Sequence, residues 1–178
     1  EFLDIPYQKP LGNPRRGGRY RGNFRQYADT ALEQYSFRQA EVDLQQYIPF
    51  FNERRVIALH ANTILSYEDP NQQVPFYYMP TLGGASGLRG FRRYRFRDRN
   101  ALVLQAEYRF EVFPAMDGAV FYDTGRVAAR KEDLFDDREK DWGFGVRFGA
   151  GNAVFMRIEV AFGSTGGTHF IWAWSNAF

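Results

Sequence analysis

Between residues 82 and 100 the chain reads LGGASGLRGFRRYRFRDRN, with Arg89, Arg92, Arg93, Arg95, Arg97 and Arg99 behind a glycine-rich start. A guanidinium is a planar fork of donors. It grips a carboxylate or a phosphate through paired hydrogen bonds and stays charged in a dry place. The partners are therefore phosphates outside the chain or carboxylates within it. Charge balance weighs against nucleic acid: 23 Lys+Arg face 21 Asp+Glu, for a net +2. A nucleic-acid binder carries a clear positive excess on one face. Only Lys9, Lys131 and Lys140 are lysines, so 23 − 3 = 20 of the cations are arginines.

Bond-making chemistry has little to work with. GGASGL has the wrong spacing for a Gly-x-Ser-x-Gly nucleophile elbow. There are no cysteines, so neither thiolate ligands nor disulfides are available. His60 and His169 stand alone and read as lumen or rim residues rather than metal ligands. The glycines of GFGVRFGAG precede no helix, so they do not cradle phosphate. EDLFDDREKD lacks the EF-hand pattern and reads as a solvated loop, with a weak calcium or lipopolysaccharide-bridging role left open. The expectation is no enzyme, no cofactor and no metal.

The elements that position the arginines are strands. Residues 100–112, NALVLQAEYRFEV, put Leu102, Leu104, Ala106, Tyr108, Phe110 and Val112 on one face. Val103, Gln105, Glu107, Arg109 and Glu111 take the other. The same division recurs, giving eight segments at about 17–28, 37–49, 54–68, 100–112, 116–128, 141–150, 152–163 and 168–178. Most exceed the ~5–6 residues of a soluble strand and approach the ~9–11 of a tilted membrane strand. Their polar faces carry Glu, Asp and Arg at mid-strand, as a wall does with lipid on one side and a polar interior on the other. Links alternate between short (FFNE, FPA, GAGN) and long, polar ones at about 29–36, 69–99 and 129–140. That asymmetry matches short periplasmic turns and longer external loops.

No apolar run approaches the ~20 residues of a spanning helix. EFLDIPYQKP lacks the basic and apolar parts of a secretory signal, so any export signal is expected upstream or already removed. NPRRGG reads as a turn between strands of a longer barrel.

Four features together resemble the barrel of the outer-membrane protein assembly factor, or bacterial surface antigen, superfamily, which includes two-partner secretion transporters. LGGASGLRGF resembles that family's glycine-rich loop start (Gly83, Gly84) and its Arg-Gly-Phe/Tyr tip (Arg89, Gly90, Phe91). AEYRF and FYDTGRV resemble the two strands after the loop, the second a Phe-x-Asp-x-Gly pattern holding Asp123. HFIWAWSNAF, with Phe170, Trp172, Trp174 and Phe178 on one parity, resembles the C-terminal strand signal.

The resemblance implies an all-β, antiparallel transmembrane β-barrel, in which residues 1–178 supply the C-terminal half of a sixteen-stranded wall. It also implies that the long external loop at 69–99 folds into the lumen, where the tip arginine contacts wall carboxylates. The parities permit this independently, since Glu107 and Asp123 both lie on polar faces. On this reading Arg89, Gly90, Phe91, Glu107 and Asp123 form a loop latch, with the other arginines lining the loop's return path or facing lipopolysaccharide phosphates.

Eight strands alone close into a barrel filled by its own side chains, so partner strands are expected. The implied function is insertion or translocation of proteins in the outer membrane of a Gram-negative bacterium. Implied partners are outer-membrane lipids and lipopolysaccharide, unfolded outer-membrane protein clients, and periplasmic domains or accessory proteins upstream; nucleic acid is not among them. The rival readings are a barrel anchor or passive pore for an upstream enzyme domain such as a patatin-like lipase, and a soluble arginine-rich RNA binder.

Overall fold

Alternating side chains become eight long strands because each face then meets a uniform environment. The structure, a computed structural model, describes residues 13–178 except 33, 151–152 and 175–176. Its long strands are β1 (Gly17–Tyr27), β2 (Phe37–Phe50), β3 (Arg55–Glu68), β6 (Asn100–Phe113), β7 (Met116–Ala128), β8 (Glu139–Ala150), β9 (Ala153–Gly163) and β10 (Gly167–Ala173). The segment between β3 and β6 holds two short strands, β4 (Thr81–Leu82) and β5 (Phe96–Arg97), paired with each other. A 3-10 turn at Glu132–Phe135 interrupts the charged link between β7 and β8.

The long strands form one antiparallel sheet in the order β1-β2-β3-β6-β7-β8-β9-β10. Among the described residues it is open, with β1 and β10 as its edges, so it is part of a barrel wall. Sequence periodicity places the strand ends within two or three residues, except at the C-terminus. There β10 stops at Ala173, short of the expected 178.

Register carries each parity across the whole sheet. One row runs Ala58, Glu107, Phe121, Gly143, Ala161, His169. The next runs Leu59, Ala106, Tyr122, Trp142, Phe162, Thr168. The first parity faces the loop and the second faces outward.

Burial is inverted relative to a soluble domain. Arg89, Arg109, Arg147 and Arg157 are each 1% exposed, while Phe170, Trp172 and Trp174 are 68%, 63% and 69% exposed. Val120, Phe144 and Trp142 likewise point outward and are exposed. Water would penalise such a surface, whereas a bilayer rewards it. Among the described residues, no helix is long and apolar enough to cross a membrane.

One apolar cluster lies between loop and wall. Leu82, Leu88 and Phe91 from the loop bury against Ala101 and Val103 of β6, with the Phe96 ring 5.1 Å from Phe91. Leu82 also lies against Gly125, where a Cβ would meet its side chain.

Candidate functional site: a guanidinium–carboxylate cluster beneath the loop

The loop reverses sharply because Gly83 and Gly84 adopt φ of 109° and 93°, a region closed to most side chains. A Cβ on Gly83 would sit 2.2 Å from the Arg92 carbonyl oxygen. The Gly84 N–H then donates to the carbonyls of Leu88 (3.1 Å) and Phe91 (2.9 Å), tying the loop's two limbs together. This fold delivers the Arg89 side chain to the polar face of the wall.

Arg89 meets carboxylates on two neighbouring strands. Its Nε donates to Asp123 Oδ2 at 2.7 Å and its Nη2 to Oδ1 at 2.8 Å. Its Nη1 donates to Glu107 Oε2 at 2.8 Å and lies 3.5 Å from Glu159. The guanidinium plane rests 3.4 Å from the centre of the Phe121 ring, so the charge is also met from one face.

Gly90 and Phe91 complete the fit. A Cβ on Gly90 would approach Asp141 Cβ and the Gly163 nitrogen to 2.6 Å. The backbone at the loop tip is therefore pressed against β8 and the turn after β9. Phe91 is buried over Ala101 and Val103 and also occupies the space beside Gly166.

The wall contributes more charge than Glu107 and Asp123. Arg109 Nε donates to Glu107 Oε1 at 2.5 Å, and Arg147 Nη2 lies 2.6 Å from the same carboxylate. Glu159 accepts from Arg157 Nη1 at 2.6 Å and lies 3.4 Å from Arg147. Arg157 Nη2 donates onward to the Ala85 carbonyl at 2.7 Å, and Gln105 Nε2 to the Gly87 carbonyl at 2.8 Å. Asp141, the cross-strand partner of Asp123, lies buried at the edge of the cluster. Arg109, Arg147, Arg157 and Glu159 escape a search for a loop motif, although they share the polar parity of Glu107. Mid-strand charges of both signs on that parity are the signal that finds them.

The inward glycines are explained by this crowding. A Cβ on Gly145 would collide with the Glu159 side chain, and one on Gly143 with the Phe121 ring that supports Arg89. The remaining loop arginines part company with Arg89. Arg92, Arg93, Arg95 and Arg97 are exposed, and half-buried Arg99 pairs with Glu68 at 2.6 Å. His60 lies between Gln105 (2.7 Å) and Asp43 (3.1 Å), and His169 contacts the Gly166 carbonyl. Neither histidine belongs to a metal-binding group among the described residues.

The C-terminal aromatics separate, which corrects the expected single strand face. Phe170, Trp172 and Trp174 point outward and are exposed. Phe178 lies beyond the end of β10, where sheet parity no longer applies. Its ring turns inward and stacks on His60 at 4.9 Å and Tyr47 at 6.4 Å, and the Tyr47 hydroxyl donates to its carbonyl at 3.3 Å. The apolar patch of Tyr47, Val56 and Ala58 covers that ring, with the Arg109 guanidinium 5.6 Å from its centre.

The cluster thus joins the loop to the wall through buried paired charges. Comparisons with known proteins agree with the fold. A family model described as the Omp85 superfamily domain matches residues 10–168. Among solved structures the chain is similar to BamA from Haemophilus ducreyi lacking POTRA domains 1-3, with a TM-score of 0.77 at 13% sequence identity. The match covers 94% of this chain and 39% of that one, so the chain spans about two-fifths of the other's length. No curated protein sequence matches the chain significantly.

Proposed function

The chain belongs to the Omp85 superfamily and resides in the outer membrane of a Gram-negative bacterium, and from that premise we propose that it is the loop-bearing wall of a barrel that inserts or translocates outer-membrane proteins, with Arg89 latching the loop inside.

The observation that carries the reading is Arg89 at 1% exposure, bonded to both Glu107 and Asp123. Carboxylates from neighbouring strands in a confined interior repel unless a cation lies between them. The loop supplies that cation, so seating the loop stabilises the wall and the wall fixes the loop. Removing one member of a buried ion cluster costs about 3–5 kcal/mol, enough to loosen the loop tip.

The work done on a client needs no covalent step. The edge strand Gly167–Ala173 has one face of its ladder paired with β9 and offers the other to an incoming strand, as in β-augmentation. Outward Phe170 and Trp172 anchor that edge at the membrane interface. Unfolded outer-membrane proteins are the fitting clients, with upstream periplasmic domains as their route of delivery. The exposed loop arginines suit lipopolysaccharide phosphates at the outer rim.

The test is insertion of a client barrel into vesicles by the full-length protein and by its Arg89→Ala and Arg89→Lys variants. The reading expects Arg89→Ala to lose most insertion and the loop's resistance to protease, with Arg89→Lys intermediate because it keeps charge without the fork. Full insertion and an equally protected loop in Arg89→Ala would refute it.

A further inference from the structure

At the opposite end of the wall, away from the loop, lies a notch of about 530 Å³ at the rim, lined by Phe51, Arg54, Arg55, Tyr108, Phe110 and Glu111. It sits where the turn at 51–54 joins β2 to β3, beside β6 and on the far side of the sheet from the edge strand β10. Short turns mark the periplasmic side of such barrels, so this is the end that meets the inner leaflet of the outer membrane.

Arg55 is the unusual member. It shares the outward parity of Ile57 and Leu59, and in register it lies between Phe50 on β2 and Phe110 on β6. Its guanidinium is 5.0 Å from the centre of the Phe51 ring. Arg54 is adjacent and exposed, its carbonyl held by the Glu111 N–H at 2.9 Å. Neither arginine makes an ion pair among the described residues, with Glu111 or with any other carboxylate. Two other carboxylates of this rim are engaged elsewhere: Glu53 with Arg16 at 3.2 Å, and Asp117 with Arg15 at 2.8 Å.

Aromatic rings pave the notch. Phe50 stacks on Tyr108 at 5.9 Å, Tyr108 on Phe110 at 5.7 Å, and Phe50 meets Phe51 at 5.5 Å. Phe51, Asn52 and Glu53 adopt φ of 49°, 56° and 62°, three successive non-glycine residues in the left-handed region. Strain of that kind persists where surrounding structure or function holds it. Phe51 itself is 70% exposed.

We propose that this notch binds the headgroup of an anionic phospholipid of the inner leaflet, with Arg54 and Arg55 on its phosphate and the aromatic ledge against its glycerol and upper acyl chains. A guanidinium at the lipid-facing rim is stabilised by water or by an anion that reaches it, and at this depth the anion at hand is the lipid phosphate. Aromatic rings beside the arginines are the usual furniture of a membrane interface. The site is separate from the loop latch and does not depend on it.

The experiment uses the full-length protein reconstituted in vesicles of equal parts phosphatidylglycerol and phosphatidylcholine, then released in mild detergent, with retained lipid counted by mass spectrometry. Phosphatidylglycerol is expected to be enriched over phosphatidylcholine, and Arg54→Gln/Arg55→Gln to lower that enrichment about tenfold. Arg55→Lys should lose less. Heat-modifiable gel migration checks that each variant is folded. Millimolar inorganic phosphate should not displace the lipid. Equal retention of both lipids by the unaltered protein would overturn the proposal, and so would displacement by phosphate. An equal fall in an Arg130→Gln/Arg138→Gln variant, altered in the long link at the other rim, would do the same.

Discussion

Arg89 closes a two-pronged contact on Asp123, Nε to Oδ2 at 2.7 Å and Nη2 to Oδ1 at 2.8 Å, joining the loop to the wall. Both side chains are fully buried, so each charge depends on the other for the solvation it has lost. A pair made this way behaves as one unit. Asp123→Asn keeps the shape and removes the anion, and is expected to destabilise the folded barrel by about 3–5 kcal/mol, as is Arg89→Ala. The double variant should cost well below their sum. Unfolding by urea in lipid vesicles, read as a double-mutant cycle, measures the coupling, and strict additivity would deny that the pair acts together.

Glu159 gathers Arg157, Arg147 and, at longer range, Arg89. Glu159→Gln should therefore strand Arg157 and loosen the loop at Ala85, whose carbonyl Arg157 holds. Replacing the partner as well, in Glu159→Gln/Arg157→Met, should restore part of the stability, since an apolar side chain tolerates burial that an unpaired guanidinium does not. The same urea titration decides it.

Gly90 has no room for a methyl group between Asp141 and Gly163. Gly90→Ala is expected to cost about 1–3 kcal/mol through overpacking and to expose the loop to protease although Arg89 is intact. Unchanged digestion would mean that the tip is not seated against the turn after β9.

Val120 tests the wall itself. It points outward at mid-strand, across from Tyr108 and Phe144, and is 48% exposed. In water an exposed Val→Arg change shifts stability by only about 0.5 kcal/mol. In a bilayer an outward arginine near mid-depth costs about 2–4 kcal/mol. Val120→Arg should thus impair folding into lipid vesicles, followed by heat-modifiable gel migration.

Much of this architecture is legible in the sequence, because a period-two pattern over ten or more residues has few other solutions. The strands from Gly17 to Gly163 and the polar parity of Glu107 and Asp123 follow from alternation alone. What alternation does not carry is range. Glu159 and Arg157 lie on β9, separated from Arg89 by some seventy residues, and only the sheet order brings them beneath the loop. Nor does a run of arginines say which one is buried. Arg89 differs from Arg92 and Arg93 because the reversal at Gly83 and Gly84 aims it inward. Phe178 eludes alternation for the opposite reason: β10 ends at Ala173, and beyond it local packing on Tyr47 and His60 sets the direction.

The chain contains no cysteine, so a single introduced thiol reports its own surroundings. Leu88 precedes Arg89 and is 0% exposed, packed between the loop and β6. Leu88→Cys in the full-length protein in native membranes should resist a water-soluble maleimide while Arg89 is present, and react readily once Arg89→Ala is added. Equal labelling in both backgrounds would contradict a loop held within the wall by Arg89.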